Sequence, residues 1–159
     1  MAKLTHIDNQ GNAIMVDVSN KEITHRVAKA TGKIYMSQEA YDTVKENRNK
    51  KGDVLTVGQV AGIMGAKKTS ELVPLCHPLL INKLNVTFED INEKGKFGFI
   101  AYSEVIVDGQ TGAEMEAITA VEITLLTIYD MCKAVDKRMT ITDIHLVSKS
   151  GGKSGDFNF

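Results

Sequence analysis

The 159-residue sequence predicts an α+β fold with a largely antiparallel sheet and helices packed on one face. One helix-forming stretch, residues 114–133, contains neither Gly nor Pro and is apolar on nearly every side, as buried helices are. Two β-rich runs, 79–91 and 97–107, flank a turn-forming segment and indicate a hairpin. Strand-like segments before the first helices and after the long helix complete the predicted sheet.

The first part of the chain predicts an arm, a strand and a helix. Residues 1–20 are polar and lack a sustained period, so we interpret them as a mobile or loosely docked N-terminal arm. Residues 26–36 alternate weakly between apolar and polar side chains, as a strand does. Ser37 is a typical helix N-cap. The apolar face of the helix that it begins is predicted to contain Ala40, Tyr41 and Val44.

A second helix follows a basic loop at residues 47–52. Asp53 or Thr56 is its predicted N-cap, and Gly65 is predicted to end it. Helical periodicity predicts an inward face made of Val57, Val60, Ala61 and Met64.

The remaining elements complete one domain that spans the chain. Residues 67–72 predict a short helix, and residues 142–147 predict the last strand. The order of strand, helices, two paired strands, helix and strand is that of ferredoxin-like folds. Residues 149–159 form a C-terminal loop and tail that begin with a Gly- and Lys-rich stretch, and no linker marks a second domain.

Composition narrows the functional class. The chain has 19 basic and 20 acidic side chains, a net charge of -1, which argues against a general nucleic-acid surface. Its two cysteines, Cys76 and Cys132, are too few for a disulfide framework and predict reduced thiols. The longest apolar run, 117–129, is too short to span a bilayer. We therefore expect a soluble cytoplasmic protein that binds neither nucleic acid nor membranes.

The ends of the long helix carry candidate functional groups. At about 100° per residue, Glu116 and Asp130 project within roughly 40° of each other, and Lys133 lies one turn beyond Asp130. An acid that is half-buried beside a lysine has a proton affinity suited to acid–base work. The alternative is a surface ion pair worth about 0.2 to 0.5 kcal/mol. Glu114 and Glu116 either complement the helix dipole or contact a ligand.

The Gly- and Lys-rich stretch at residues 149–155 ends like a phosphate-binding P-loop. The leading Gly of that motif would fall at Val147, and too few residues follow for the required helix, so it is not a P-loop. A backbone nest for an oxyanion and a disordered tail both remain open. The imidazole of His77, between Pro74 and Pro78, either forms hydrogen bonds with the backbone or contacts a ligand. No His or Cys spacing predicts a metal site.

Four segments together resemble one protein family. They are Leu-Cys-His-Pro-Leu at 75–79, Thr-Gly-Ala-Glu-Met-Glu-Ala at 111–117, Leu-Thr-Ile-Tyr-Asp-Met-Cys-Lys-Ala at 126–134 and Lys-Ser-Gly-Gly-Lys-Ser-Gly-Asp at 149–156. Met-Val-Asp-Val at 15–18 and Lys-Gly-Asp-Val at 51–54 also fit. In this order they resemble the MoaC family, the cyclic pyranopterin monophosphate synthases of molybdenum cofactor biosynthesis. The resemblance spans nearly the whole chain.

The resemblance implies a fold, an assembly and a reaction. The fold is ferredoxin-like, and members form hexamers, built as trimers of dimers, with active sites at subunit interfaces. The small-molecule substrate is a cyclised dihydro-GTP in which guanine C8 is joined to ribose C3′. The implied lyase rearranges it to cyclic pyranopterin monophosphate and diphosphate. No cofactor is implied, and whether Mg²⁺ accompanies the triphosphate stays open because no carboxylate spacing demands the ion.

The resemblance also assigns residues. It implies that Asp130 is the catalytic acid–base residue and that Lys133 and Lys51 are its partners in proton transfer. Lysine is a weak base at neutral pH unless its pKa is lowered, so we expect both to lie near other lysines. The residues that match the substrate-binding and other active-site positions of the family are Leu75, Cys76, His77, Glu114, Met115, Glu116 and Lys149.

Three positions depart from the family pattern, and two rival functions remain. Gln110 and Ala113 flank the 111–117 motif, and Glu122 occupies a position where the family usually has a small residue, so that a buried Glu122 would require a partner.

One rival function is that of a non-catalytic nucleotide- or pterin-binding regulatory module of the same fold. The other is a purely structural oligomer. Neither needs an acid–lysine pair beside a lysine-rich loop.

Overall fold

The structure, a computed structural model, describes residues 5–159, so the first four residues of the predicted arm lie outside it. Residues 5–20 are mostly exposed and contain one isolated bridge, between Ile7 and Ala13. The elements that follow are β1 Thr24–Met36, α1 Gln38–Lys45, α2 Val54–Ala66, α3 Thr69–Leu72, β2 Lys83–Glu93, β3 Lys96–Gly109, α4 Glu114–Cys132, β4 Thr140–Ser150 and β5 Phe157–Asn158.

The strands form one antiparallel sheet in the order β2-β3-β1-β4-β5. β2 and β3 are joined by the predicted hairpin, whose two turn residues, Lys94 and Gly95, both have positive φ. A two-residue turn with that geometry suits the twist of the paired strands. Apart from the short β5, the element order and strand order confirm the ferredoxin-like α+β prediction.

The hydrophobic core lies between one face of the sheet and α4. Ala28, Ala30 and Ile34 of β1 alternate toward this face, and Val121, Leu125 and Ile128 of α4 are fully buried against it. At the end of the sheet, the α1 side chain Tyr41 stacks on Phe99 with ring centroids 5.3 Å apart. Ser37 caps α1 as predicted, since its hydroxyl accepts a hydrogen bond from the amide of Ala40. The helices thus cover one face.

The predicted inward face of α2 is wrong. Val57, Val60 and Met64 are 41%, 50% and 57% exposed. The residues that instead face α4 are Gly58, Gly62 and Gly65. Gly65 also lies inside the helix, which continues to Ala66, whereas the N-cap Asp53 is confirmed by its hydrogen bond from the Thr56 amide.

The reason is the close approach of α2 and α4. A Cβ at Gly62 would overlap the Thr124 hydroxyl and lie 2.7 Å from the carbonyl oxygen of Ala120. Helical periodicity, judged from the large apolar side chains alone, predicts the wrong buried face for a helix that packs against its neighbour through glycines.

Replacing Gly62 with alanine is expected to lower the free energy of unfolding by about 1 to 3 kcal/mol, the range for overpacking a close contact. The matched control is Gly58→Ala, where a Cβ would meet Ile128 Cγ1 at 3.2 Å and the higher helix propensity of alanine offsets the strain. Denaturant titration of both variants checks this. Equal losses at the two positions would contradict it.

β4 contains two register shifts against β1. Lys29 lies opposite Ser148 whereas Ala30 lies opposite Leu146, so Val147 is an extra residue. Beyond the bulge the chain reaches Ser150, turns through Gly151 and Gly152, and returns as β5 on the outer edge of β4. The segment after β4 is therefore a hairpin, and the disordered-tail interpretation is wrong.

The outer surface of the helix layer carries Glu122 and several apolar side chains. Glu122 is exposed, so it needs no buried partner. Leu126 of α4 and the three apolar side chains of α2 named above are exposed on the same helix layer. Among the helices of residues 5–159, none is long and apolar enough to cross a membrane.

Candidate active site

Two groups of predicted site residues lie at opposite ends of α4. At the carboxyl end, the Lys133 Nζ lies 2.6 Å from Asp130 Oδ1, and the Lys51 Nζ lies 3.3 Å from Asp130 Oδ2. Lys51 also donates to the carbonyl oxygen of Asp130 at 3.1 Å. These three residues, which we call the carboxyl-end cluster, place one carboxylate between two ammonium groups.

Asn49 holds the basic loop against α4. Its side-chain amide donates to the carbonyl oxygen of Met131 at 2.9 Å, and its side-chain oxygen accepts from the Lys51 amide at 2.9 Å. The last carbonyls of a helix have no partner within the helix, so Asn49 satisfies one of them and aims Lys51 at Asp130. Sequence reasoning missed Asn49, because nothing in the loop shows that it meets the end of a helix 82 residues later.

Two expectations about the carboxyl-end cluster are wrong. Asp130 is not half-buried, since its side chain is 56% exposed. Hydrogen bonds from Lys133 and then from Lys51 hold the pKa of Asp130 below its usual range. The pKa of Lys133 is raised by the same contact with Asp130, rather than lowered. The direct contact with the carboxylate is the main cause of this rise.

The amino end of α4 carries the second group, the amino-end cluster of Cys76, Glu114, Glu116 and Lys149. Lys149 Nζ lies 3.8 Å from Glu114 Oε1 and also donates to the Ser154 hydroxyl. Burial raises the pKa of the Cys76 thiol, and the charges of Glu116 and Glu114 raise it further. The loop that contains Cys76 therefore packs beside the first turn of α4.

The other predicted binding residues adjoin this cluster in sequence. Leu75 and His77 flank Cys76 and are half-buried, and Met115 is exposed on the first turn of α4. His77 lies near Asp17 of the arm. The pKa of Asp17 is lowered first by hydrogen bonds from Ser19 and also by attraction to His77.

A basic cavity of about 350 Å³ lies between residues 21–26, where β1 begins, and the C-terminal hairpin. Its lining residues are Lys21, Glu22, Thr24, Arg26, Gly152, Lys153 and Ser154. Arg26 Nε donates to the carbonyl oxygen of Gly109 at 2.9 Å, which fixes the guanidinium. Gly152 has φ +82°, and a Cβ there would lie 2.9 Å from Arg26 Cζ. The positive φ favours glycine at this position, whereas the overlap involves only the end of a flexible side chain.

Sequence reasoning missed Arg26 and Lys21. Arg26 lies at the cavity because Val27 pairs with Ser150, which brings the start of β1 beside the Gly-rich loop. No local sequence pattern reveals that pairing. Lys21 is held by Gln110, whose side-chain amide donates to its carbonyl oxygen at 2.8 Å. The departure at Gln110 therefore affects how the arm docks.

The structure does not bring the two clusters together within one chain. Glu116 and Asp130 are separated by fourteen residues of α4 (130 − 116), which corresponds to about 21 Å along the helix axis. One small molecule cannot contact both ends at hydrogen-bond distance in a single copy.

The family model that matches this chain is that of the MoaC family, and it matches residues 15–152. The chain belongs to the MoaC family. The match includes both clusters of α4 and the first part of the Gly-rich loop, and it ends before β5.

Three proteins similar to this chain carry the same name. A protein of Clostridium perfringens (strain SM101 / Type A) is 57% identical, with 99% of this chain and 98% of the relative covered. A protein of Campylobacter jejuni (strain RM1221) is 54% identical, with 98% of each covered. One of Staphylococcus epidermidis (strain ATCC 12228 / FDA PCI 1200) is 51% identical, covering 99% and 98%. Each is named cyclic pyranopterin monophosphate synthase.

Glu116 is a buried acid that gives this MoaC chain a testable pH dependence. Its side chain is 2% exposed, and its Oε2 has no hydrogen-bond partner among the described residues. Burial raises its pKa from 4.5 to about 7, and the charge of Glu114 contributes. The folded chain therefore keeps this proton between pH 4.5 and 7 whereas the unfolded chain releases it, so stability falls as pH rises through that window.

Replacing Glu116 with glutamine is expected to remove this slope, because the amide stays neutral. The free energy of unfolding of the variant should exceed that of the wild type by up to about 3 kcal/mol above pH 7 and match it near pH 4.5. Denaturant titrations at several pH values measure this difference. Glu122→Gln is the control, since Glu122 is exposed on the same helix. Parallel curves for Glu116→Gln and the wild type would contradict the prediction.

Proposed function

We propose that this chain is a cyclic pyranopterin monophosphate synthase. Its substrate is the cyclised dihydro-GTP, and its products are cyclic pyranopterin monophosphate and diphosphate. Family membership and the shared name of relatives more than 50% identical over nearly the whole chain support this proposal. They favour it over the non-catalytic binding module and the structural oligomer.

The observation that carries the proposal is the placement of Asp130 between Lys133 and Lys51, at 2.6 and 3.3 Å. Rebuilding the five-membered ring of the purine into a pyranopterin needs protons removed from some atoms and delivered to others. The lowered pKa keeps Asp130 ionised and the raised pKa keeps Lys133 protonated, so each is in the form that its role requires, although both shifts make it a weaker base or acid. Lys51, held by Asn49, completes this acid–base group.

The amino-end cluster and the basic cavity are suited to bind the rest of the substrate. Closing the cyclic phosphate requires attack of a substrate hydroxyl on the α-phosphorus, with the hydroxyl proton passing to a general base. The bond to the bridging oxygen breaks, and diphosphate leaves with the electron pair. Arg26, Lys21 and Lys153 line a cavity that can stabilise this charge. The half-buried loop at 75–77 and Glu116 supply a drier surface for the base.

We further propose that two copies of the chain build each active site. A two-fold contact between copies can set the amino-end cluster of one against the carboxyl-end cluster of the other, which removes the separation of about 21 Å within one chain. The exposed apolar side chains of α2 and α4 supply surface for burial between subunits. A hexamer that is a trimer of dimers, as the resemblance implies, contains such contacts.

The deciding experiment incubates the purified chain with enzymatically prepared cyclised dihydro-GTP and detects pyranopterin and diphosphate. We expect both products in equal amounts. Binding of the substrate without turnover, by a folded oligomer, would instead favour the nucleotide- or pterin-binding module. The cytoplasmic location and the lack of a resident cofactor or metal stay predictions, and turnover measured with and without a chelator tests the metal.

A further inference from the structure

The direction of Lys149 depends on the bulge in β4. Lys149 lies opposite Ala28, and Leu146 lies opposite Ala30, so both face α4. Residues three apart in a regular strand point to opposite faces of the sheet. The extra residue, Val147, reverses this alternation and turns Lys149 toward Glu114. Without the bulge, Lys149 would project from the uncovered face of the sheet.

The end of the chain contacts the bulge. The backbone N–H of Phe159 donates to the carbonyl oxygen of Val147 at 2.9 Å. Its ring lies against His145, with centroids 4.3 Å apart. In the same hairpin, Asp156 accepts a hydrogen bond from the Gly151 amide at 3.3 Å. We call residues 157–159 the C-terminal strap.

We propose that the C-terminal strap is a positioning device for Lys149, in which the Phe159 N–H fixes the bulge at Val147 and so aims the lysine at the amino-end cluster. This inference rests on the proposed function, since it gives Lys149 a role in binding the substrate. Phe159 acts through the backbone of β4 and touches no reacting atom.

The strap contributes little to the core, which separates positioning from general stability. Phe159 is 85% exposed, and Phe157 is also exposed, so neither buries enough apolar surface to stabilise the fold greatly. The loop that the strap closes contains Gly151, Gly152 and Gly155, all with positive φ. Glycine restricts the backbone least, so this loop depends on its closing contacts for a single conformation.

Proline substitutions can test the strap, because the backbone N–H of Phe159 points toward β4 and that of Asn158 points away from it. Phe159 forms a hydrogen-bonded pair with Val147, so Phe159→Pro removes the donor. Asn158 lies opposite Ser148 in the alternating, non-bonded position, so Asn158→Pro leaves the ladder intact. Phe159→Ala keeps the donor and removes only the ring.

We expect Phe159→Pro to raise KM for the cyclised dihydro-GTP about tenfold with kcat changed less than about twofold, the pattern of lost binding that is equal in the ground state and the transition state. Asn158→Pro and Phe159→Ala should stay within about twofold of the wild type. Amide hydrogen exchange in residues 147–156 should rise in Phe159→Pro alone, while the melting temperature of all three stays close to that of the wild type.

Exchange separates a failure of the strap from a failure of the proposed function. If the wild type makes no product, the proposed function fails, and faster exchange in Phe159→Pro still shows that the strap orders the loop. Wild-type exchange in Phe159→Pro would overturn the strap itself. A wild-type KM in Phe159→Pro, with an active wild type, would overturn its role in positioning Lys149. Equal effects in Asn158→Pro would assign the change to the edge strand in general.

Discussion

Replacing Asp130 with asparagine is expected to lower turnover by at least about 100-fold, the scale of a lost acid–base group. The change removes the negative charge that lies between Lys133 and Lys51 and leaves an amide of the same shape. Because the side chain is exposed in the single chain, the fold should not change, and the isosteric amide should leave the packing of copies against this end of α4 intact. Initial rates with the cyclised dihydro-GTP measure the loss, and size-exclusion chromatography checks the assembly.

Asp143→Asn is the matched control for this variant. Asp143 is also exposed, and its Oδ2 pairs with Lys33 Nζ at 3.0 Å, as Asp130 pairs with lysines. Its φ of 55° is one that asparagine tolerates. Turnover in Asp143→Asn should equal that of the wild type. Near-normal turnover in Asp130→Asn would move the acid–base role to another residue.

The pH dependence of the wild type gives a second view of Asp130. Its pKa lies below the usual range because both lysines stabilise the carboxylate. If Asp130 accepts a proton in the reaction, kcat/KM should fall on the acidic side only below the usual range for aspartate. A fall that begins near neutral pH would indicate that another acid, such as the buried Glu116, controls the rate.

The sequence predicted what local chemistry decides. The N-caps Ser37 and Asp53, the hairpin turn at Lys94 and Gly95, and the extent of α4 all follow from residues next to one another, and all are confirmed. The order of these elements was enough for the ferredoxin-like topology, because few antiparallel arrangements satisfy it.

Long-range contact decided what the sequence could not. The α2 face is wrong because Gly62 matters through its lack of a side chain, which periodicity does not count. Asp130 is exposed because it lies at the carboxyl end of α4. Its angular position around the helix, taken alone, suggests that it is half-buried. Arg26 and Asn49 join the candidate site only through the register of β1 with β4 and the docking of the basic loop.

Mixing two impaired variants is expected to raise activity when their defects lie at opposite ends of α4. Asp130→Asn damages the carboxyl-end cluster, and Lys149→Ala damages the amino-end cluster. If each site takes one end from each of two copies, co-expression at equal levels gives about a quarter of the sites two intact ends. With substrate far below KM, the rate should then rise to about a quarter of the wild-type value, above that of either variant alone.

The matched control combines two defects at the same end. Lys51 and Asp130 belong to one cluster of one chain, so Asp130→Asn mixed with Lys51→Ala leaves every site with a damaged carboxyl end. This mixture should show no gain over the single variants. Co-assembly is verified by purifying through two different tags. Restoration in neither mixture would contradict a site shared between copies, and both clusters would then have to act separately within one chain, about 21 Å apart along α4.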